Sequence, residues 1–109
     1  MVKQASKRQG GYLSKIVKWL PEALMDIERL HAFLHKKSPD AAARAAKAIL
    51  HATELLKTAP SAGRPMQDDT GRREWFVSFG AGSYVLRYML DNDETVIIRV
   101  WHSKKNRGQ

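Results

Sequence analysis

Apolar residues recur at two periods along this chain, helical in its first half and alternating in its second. Ala23, Leu24, Ile27, Leu30 and Leu34 fall at spacings of 1, 3, 3 and 4, one apolar stripe at helical period. Pro21 suits the first position of that helix, since a missing N–H costs nothing there. Glu22 and Asp26 lie toward its N-terminal end and Lys36 and Lys37 toward its C-terminal end, each where the helix dipole favours its charge. Ser38-Pro39-Asp40 predicts a second start: a hydroxyl cap, a proline and an acid in the first turn. The stripe that follows is Ala42, Ala46, Ile49, Thr53 and Leu56, with Ala45 and Leu50 beside it. Its alanine-rich first half lets two helices approach closely, so an antiparallel hairpin of helices at about 21–37 and 39–58 is expected, with boundaries good to ~2–4 residues. Pro60 ends it, and 59–71 reads as a loop by composition.

Beyond that loop the period changes to two. Trp75, Val77 and Phe79 point one way and Glu74, Phe76 and Ser78 the other. Gly80-Ala81-Gly82 predicts a turn, Tyr84 to Leu90 a strand, Asp91 to Glu94 a turn, and Thr95 to His102 another strand. The last two segments are apolar on both faces, as central strands are. Ser14 to Trp19 predicts one more strand ahead of the helices. The fold class is therefore α+β in the order β-α-α-β-β-β, with a helical hairpin covering one face of a small antiparallel sheet. Residues 14–103 form the domain, between a polar arm at 1–13 read as flexible and a basic tail at 104–109.

Charge and composition narrow the function. With 109 residues the chain is one domain of one modest core. It has no cysteine, which removes disulfides, thiolate metal sites and a cysteine nucleophile. No apolar run reaches the ~18 residues that span a bilayer, and the basic first 18 residues lack the apolar stretch of a secretory signal. A cytoplasmic protein without a membrane partner is expected. The net charge of +8 resides in the ends: Lys3, Lys7, Arg8, Lys15 and Lys18 at one, Lys104, Lys105 and Arg107 at the other. The body between them is neutral, so the ends point to an anionic partner or serve as solubilising tails.

Order and residues together resemble the RelE/ParE toxin superfamily from about Lys15 to His102. The resemblance is carried by Lys15-Ile16-Val17 before Pro21-Glu22-Ala23, by Asp26-Ile27, and by Pro39 to Ala42 opening the second helix. It continues through Ala59-Pro60, Gly63-Arg64-Pro65, Arg73-Glu74, Tyr84-Val85 with Tyr88, and Arg99-Val100-Trp101-His102. It implies the toxin of a type II toxin–antitoxin pair, held by a cognate antitoxin whose acidic residues meet Arg87, Arg99 or the basic ends. The superfamily splits on chemistry: RelE-like members cut messenger RNA on the ribosome, and ParE-like members poison DNA gyrase.

RNA cleavage needs a base at the 2′-hydroxyl, cations for the phosphate and an acid for the leaving oxygen. RelE-like nucleases gather strand lysines, an arginine after the first tyrosine of the next strand, and a basic or tyrosine-bearing tail. Here Trp75 to Phe79 holds no lysine, Val85 follows Tyr84, and no tyrosine follows Tyr88. Arg64, Glu74, Arg87 and His102 remain as the alternative nuclease set. A turn symmetric about Asn92-Asp93 would pair Val85 with Val100 and Arg87 with Ile98, putting Arg87 and His102 on one face but roughly 13 Å apart. His102 is read as a strand-end residue bonded locally. Arg64 is read equally as a carboxylate or phosphate clamp and as a loop brace. Of Arg73 and Glu74, one is a surface charge and the other a partner for Arg87 or Arg99. The target- or antitoxin-binding candidates are thus Arg64, Arg73, Arg87, Arg99, His102, Lys104, Lys105 and Arg107.

His31 and His35 stand i, i+4 on a helix, a spacing that could put two imidazoles on one metal, but the helix stripe makes them surface or interface residues, so no metal and no cofactor is expected. Trp75, Phe76, Phe79, Tyr84, Tyr88 and Trp101 could stack bases but at strand alternation are read as core, Tyr84 and Tyr88 under the helices. Three functions compete: a ParE-like gyrase inhibitor, a RelE-like ribosome-dependent endoribonuclease, and a small basic nucleic-acid-binding module.

Overall fold

The computed structural model describes residues 16–104. The arm at 1–13 and the tail residues Lys105 and Arg107 lie outside the described residues. Seven elements follow in chain order: β1 (Ile16–Trp19), α1 (Pro21–Lys37), α2 (Pro39–Thr58), β2 (Arg64–Pro65), β3 (Arg73–Phe79), β4 (Gly82–Asp91) and β5 (Glu94–His102). Both helices begin on the prolines that predicted them. The Ser38 hydroxyl caps α2, accepting from the Ala41 N–H at 3.1 Å.

The strands form one sheet in the order β1-β5-β4-β3-β2. β4 and β5, the two segments apolar on both faces, are indeed interior. One pairing departs from the antiparallel expectation: β1 runs parallel to β5, so the sheet is mixed. The strand count is the reason. Two antiparallel helices return the chain to the end of the sheet where β1 finished, so β2 runs opposite to β1; β2, β3, β4 and β5 then alternate, and the fourth of them runs with β1. A second departure lies in the 59–71 loop, where Arg64 and Pro65 pair with Glu74 and Arg73 as a short edge strand. Two residues leave no periodicity to read.

The hairpin packs on one face. Ala23, Ala45, Ile49, Ala52 and Leu56 from the helices close on Tyr84, Leu86, Tyr88, Ile97 and Val100 from the sheet, with Trp75, Val77 and Phe79 against them. Tyr84 and Tyr88 do lie under the helices. The helical stripes are only partly buried, however: Leu24 is 50% and Leu50 61% exposed. Between α1 and α2 the alanines leave an open groove of about 520 Å³, lined by Trp19, Leu24, Ile27, Leu34, Ala46 and Leu50. No helix among the described residues is long and apolar enough to cross a membrane.

The β4–β5 ladder corrects the expected register. From Asp91↔Glu94 to Tyr88↔Ile97 the pairs match a turn symmetric about Asn92-Asp93. There Asn92 takes φ 58°, left-handed backbone that asparagine tolerates. Between Arg87 and Tyr88 the register shifts, and β5 holds an extra residue, Ile98. Beyond it Arg87 faces Arg99 rather than Ile98, Val85 faces Trp101 rather than Val100, and Tyr84 faces His102. A bulge of one residue changes every later pair. Arg87 and His102 therefore lie on opposite faces.

Candidate functional site

The helix-free face of the sheet carries side chains in cross-strand rows. Directly opposite residues share a face, so Arg64, Glu74, Arg87 and Arg99 form one row across β2, β3, β4 and β5. Phe76, Val85 and Trp101 form the next, and Ser78 and Ser83 the one beyond.

Register alone does not say what each charge does. Arg87 donates from Nε and Nη2 to one Glu74 oxygen, at 3.1 and 2.7 Å, and lies 4.9 Å from the centroid of the Trp101 ring. Glu74 is thus the partner of Arg87. Arg73, one residue back on the other face, donates from Nη1 to the Ser61 and Gly63 carbonyls at 2.9 and 2.7 Å. It is a brace. Arg64 sits 4.9 Å from the Phe76 ring centroid, a cation–π contact. It is the one arginine of the row with no acidic partner among the described residues.

Arg99 takes a direction that periodicity did not suggest. Its Nε and Nη2 donate to the two Asp26 oxygens at 2.8 and 3.0 Å. The same carboxylate accepts from the Val100 N–H at 2.9 Å and from Arg29 at 2.6 Å. β1 covers β5 only as far as Ile97, whose carbonyl accepts from the Leu20 N–H at 3.0 Å. Asp26, on the first turns of α1, then supplies the acceptor that a longer β1 would have given Val100. Read from sequence as an acid favoured by the helix dipole, Asp26 is a buried clamp, 4% exposed. Burial by itself raises its pKa. The Arg99 hydrogen bond, the Val100 N–H and the charges of Arg99 and Arg29 together outweigh that and hold it below the ordinary 3.8. The same contacts push Arg99 up.

His102 is bonded at both ring nitrogens. Nδ1 accepts from the Lys104 backbone N–H at 3.1 Å, so Nε2 carries the proton and donates to the Phe79 carbonyl at 3.0 Å. Its ring meets Tyr84 edge-on at 4.9 Å, on the face away from Arg87. Ser103 and Ser83 exchange two further bonds, so the chain leaves the sheet tied to the β3–β4 turn. Gly80 in that turn takes φ +64°, which favours glycine. Lys104 is exposed just beyond.

Tyr88 reaches from the core to the same loop as Arg73. Its hydroxyl donates to the Pro60 carbonyl and accepts from the Gly63 N–H, both at 2.8 Å. Burial pushes its pKa above the ordinary 10, with the Gly63 bond and Arg73 opposing, so the donor proton stays in place. A Cβ on Gly63 would stand 2.5 Å from that hydroxyl. His31 and His35 stack at 5.6 Å, and no group of three or more His, Asp or Glu among the described residues is placed to hold a metal.

The structure thus brings Arg64, Glu74 and Arg87 of the alternative nuclease set into one row, with Glu74 bonded to Arg87 and not to Arg64, and leaves His102 on the other face. Phe76 and Trp101, read as core, stand instead on the helix-free face as ring platforms for Arg64 and Arg87. The family model described as "ParE toxin of type II toxin-antitoxin system, parDE" matches residues 17–107. The chain belongs to the ParE toxin family of type II toxin–antitoxin systems. Among curated relatives, Toxin RelE3 of Caulobacter vibrioides is 39% identical to this ParE-family chain over 93 residues, 85% of the chain and 99% of that toxin. Toxin RelE1 of the same organism is 36% identical over 85 residues, covering 78% and 89%. The toxin fold matches a structure of the chromosomal ParDE system of P. aeruginosa at TM-score 0.63 and 16% identity, covering 82% of this chain and 96% of that one. It matches the Mycobacterium tuberculosis RelBE2 toxin–antitoxin complex at TM-score 0.52 and 22% identity, over 84% and 93%. The family lies within the superfamily whose resemblance was read from sequence; the two Caulobacter relatives carry the RelE name and the family model the ParE one.

Proposed function

We propose that this toxin acts by surface recognition, as a ParE-like inhibitor of DNA gyrase, in the cytoplasm and under the control of a cognate antitoxin. The observation that carries this reading is the state of His102. Both its nitrogens are occupied by backbone groups, and it faces away from Arg87 and Glu74. A general acid or base needs a free nitrogen at the reacting atom, and a phosphate needs cations beside it. Here His102 and the arginines of the row, Arg64, Arg87 and Arg99, occupy different faces, and Glu74 is already bonded to Arg87. Target recognition is assigned to the helix-free face through Arg64 and to Lys104, Lys105 and Arg107 beyond the last strand. Those three cations give a salt-sensitive attraction to DNA or to an acidic protein patch. The antitoxin is assigned an amphipathic helix seated in the apolar groove between α1 and α2 and an extended stretch on the helix-free face, with acidic residues toward Arg87, Arg99 or the basic ends.

A second reading, ribosome-dependent cleavage of messenger RNA, is favoured by the names of the two Caulobacter relatives. Two assays on the purified chain separate them. Added to gyrase, it should block supercoiling; added to a translation reaction, it should leave the message uncut. Codon-specific cleavage abolished by changing His102 or Arg87 would overturn the proposal in favour of the nuclease.

A further inference from the structure

Arg64 owes its place to a turn that β2 alone could not hold. β2 is two residues long, and Pro65 brings no N–H to it. Besides the turn's own bond from the Ala62 N–H to the Ala59 carbonyl at 3.0 Å, what fixes the chain ahead of Arg64 is the pair of side chains reaching into residues 60–63 from the sheet. Tyr88, fully buried on β4, holds the Pro60 carbonyl and the Gly63 N–H; Arg73 on β3 holds the Ser61 and Gly63 carbonyls. Gly63 has no room for a Cβ against the Tyr88 hydroxyl, so the backbone is drawn onto that hydroxyl as closely as a chain can be. The next residue then emerges with its guanidinium over Phe76, pointing away from the core.

A guanidinium has five donors, and a ring face uses none of them. Stacking on Phe76 removes much of Arg64's rotamer freedom while leaving the fork open, which is the preorganisation a bidentate contact to a carboxylate requires. We propose that Tyr88 and Arg73 are positioning residues for Arg64, holding it through the 60–63 turn to clamp a carboxylate of the toxin's protein target. The inference rests on the assignment of target recognition to this face.

Double-variant growth assays in cells expressing the full chain at graded levels test it. Arg64→Ala loses a charge-assisted contact, so the level needed to halt growth should rise roughly tenfold or more. Tyr88→Phe keeps the ring in the core and removes only the hydroxyl; Arg73→Met keeps the stem and removes the donors. Each should raise the required level several-fold, and each combined with Arg64→Ala should be no worse than Arg64→Ala alone. A residue acting only through stability would instead add its effect to that of Arg64→Ala. In the purified chain, the Arg64 Nε–H resonance, displaced by the Phe76 ring, should move in both variants toward its position in Phe76→Ala. Additive losses in both double variants, or an unmoved resonance in both single ones, would overturn the proposal. So would full growth inhibition by Arg64→Ala. Growth arrest with gyrase supercoiling intact would instead defeat the target named above and leave the positioning role standing.

Discussion

Replacing Asp26 with alanine removes the acceptor that stands where β1 stops. Three contacts are lost, and they are unequal. Arg29 is 62% exposed and Arg99 49%, so both guanidiniums return to water, and their pairs contribute about 0–1 kcal/mol each. The Val100 N–H is buried and has no other acceptor in β1; leaving it unpaired costs about 1–3 kcal/mol. Asp26→Ala should therefore destabilise the toxin by about 1–5 kcal/mol, a fall in Tm of roughly 5–25 °C for a domain of this size. Asp26→Asn retains an oxygen for Val100 and should cost less, and Arg99→Gln less still. Hydrogen exchange should locate the damage, with the Val100 amide speeding most. The pH dependence has a definite sign. Asp26 in the folded chain binds its proton less readily than in the unfolded one, so the unfolded state holds more protons in that range and stability rises with pH there. The contribution is whole above the ordinary 3.8 and is lost as pH falls through the lower folded value. The wild-type advantage over Asp26→Asn should hold steady down to that range and then shrink. An Arg99→Gln loss equal to that of Asp26→Ala would refute the reasoning, since it would put the weight on the ion pair rather than on the strand acceptor.

Gly63→Ala must displace either the Tyr88 ring or the turn and should cost about 1–3 kcal/mol in denaturant unfolding, more than an exposed glycine substitution would. Replacing Lys104, Lys105 and Arg107 together with alanine should weaken growth inhibition and flatten its salt dependence in vitro while leaving Tm unchanged, since they follow the last strand. His102→Gln should reduce toxicity far less than the about 100- to 10,000-fold that losing a general acid or base costs, as read by the expression level needed to halt growth.

Local signals account for most of the fold. The Pro21 and Pro39 starts, the Ser38 cap and the switch from helical to alternating period are each written within a few residues, and each element arose where its signal stood. Sequence could not show the parallel partner of β1, since a strand of four residues carries no mark of which neighbour it will take. β2 has two residues and no pattern. Leu24 and Leu50 belong to their stripes but stay exposed, because a stripe says which side of a helix is apolar and not whether another element covers it.

The site was less legible for a different reason, and it bears on the choice between the two readings. What an arginine can do depends on which of its donors are spent, and that is set by register. One extra residue, Ile98, turned Arg87 toward Arg99 and away from the face of His102. It also left Arg99 beside a free edge within reach of Asp26, 73 residues earlier in the chain. Of the row's three guanidiniums, two thereby hold carboxylates and one is open. A phosphoryl-transfer site wants several open cations around one phosphate. Building one here would mean separating Arg87 from Glu74 and leaving that acid, only 18% exposed, beside the incoming anion. A single open fork on an aromatic platform, with polar neighbours at rest, is better suited to gripping one carboxylate on a protein surface.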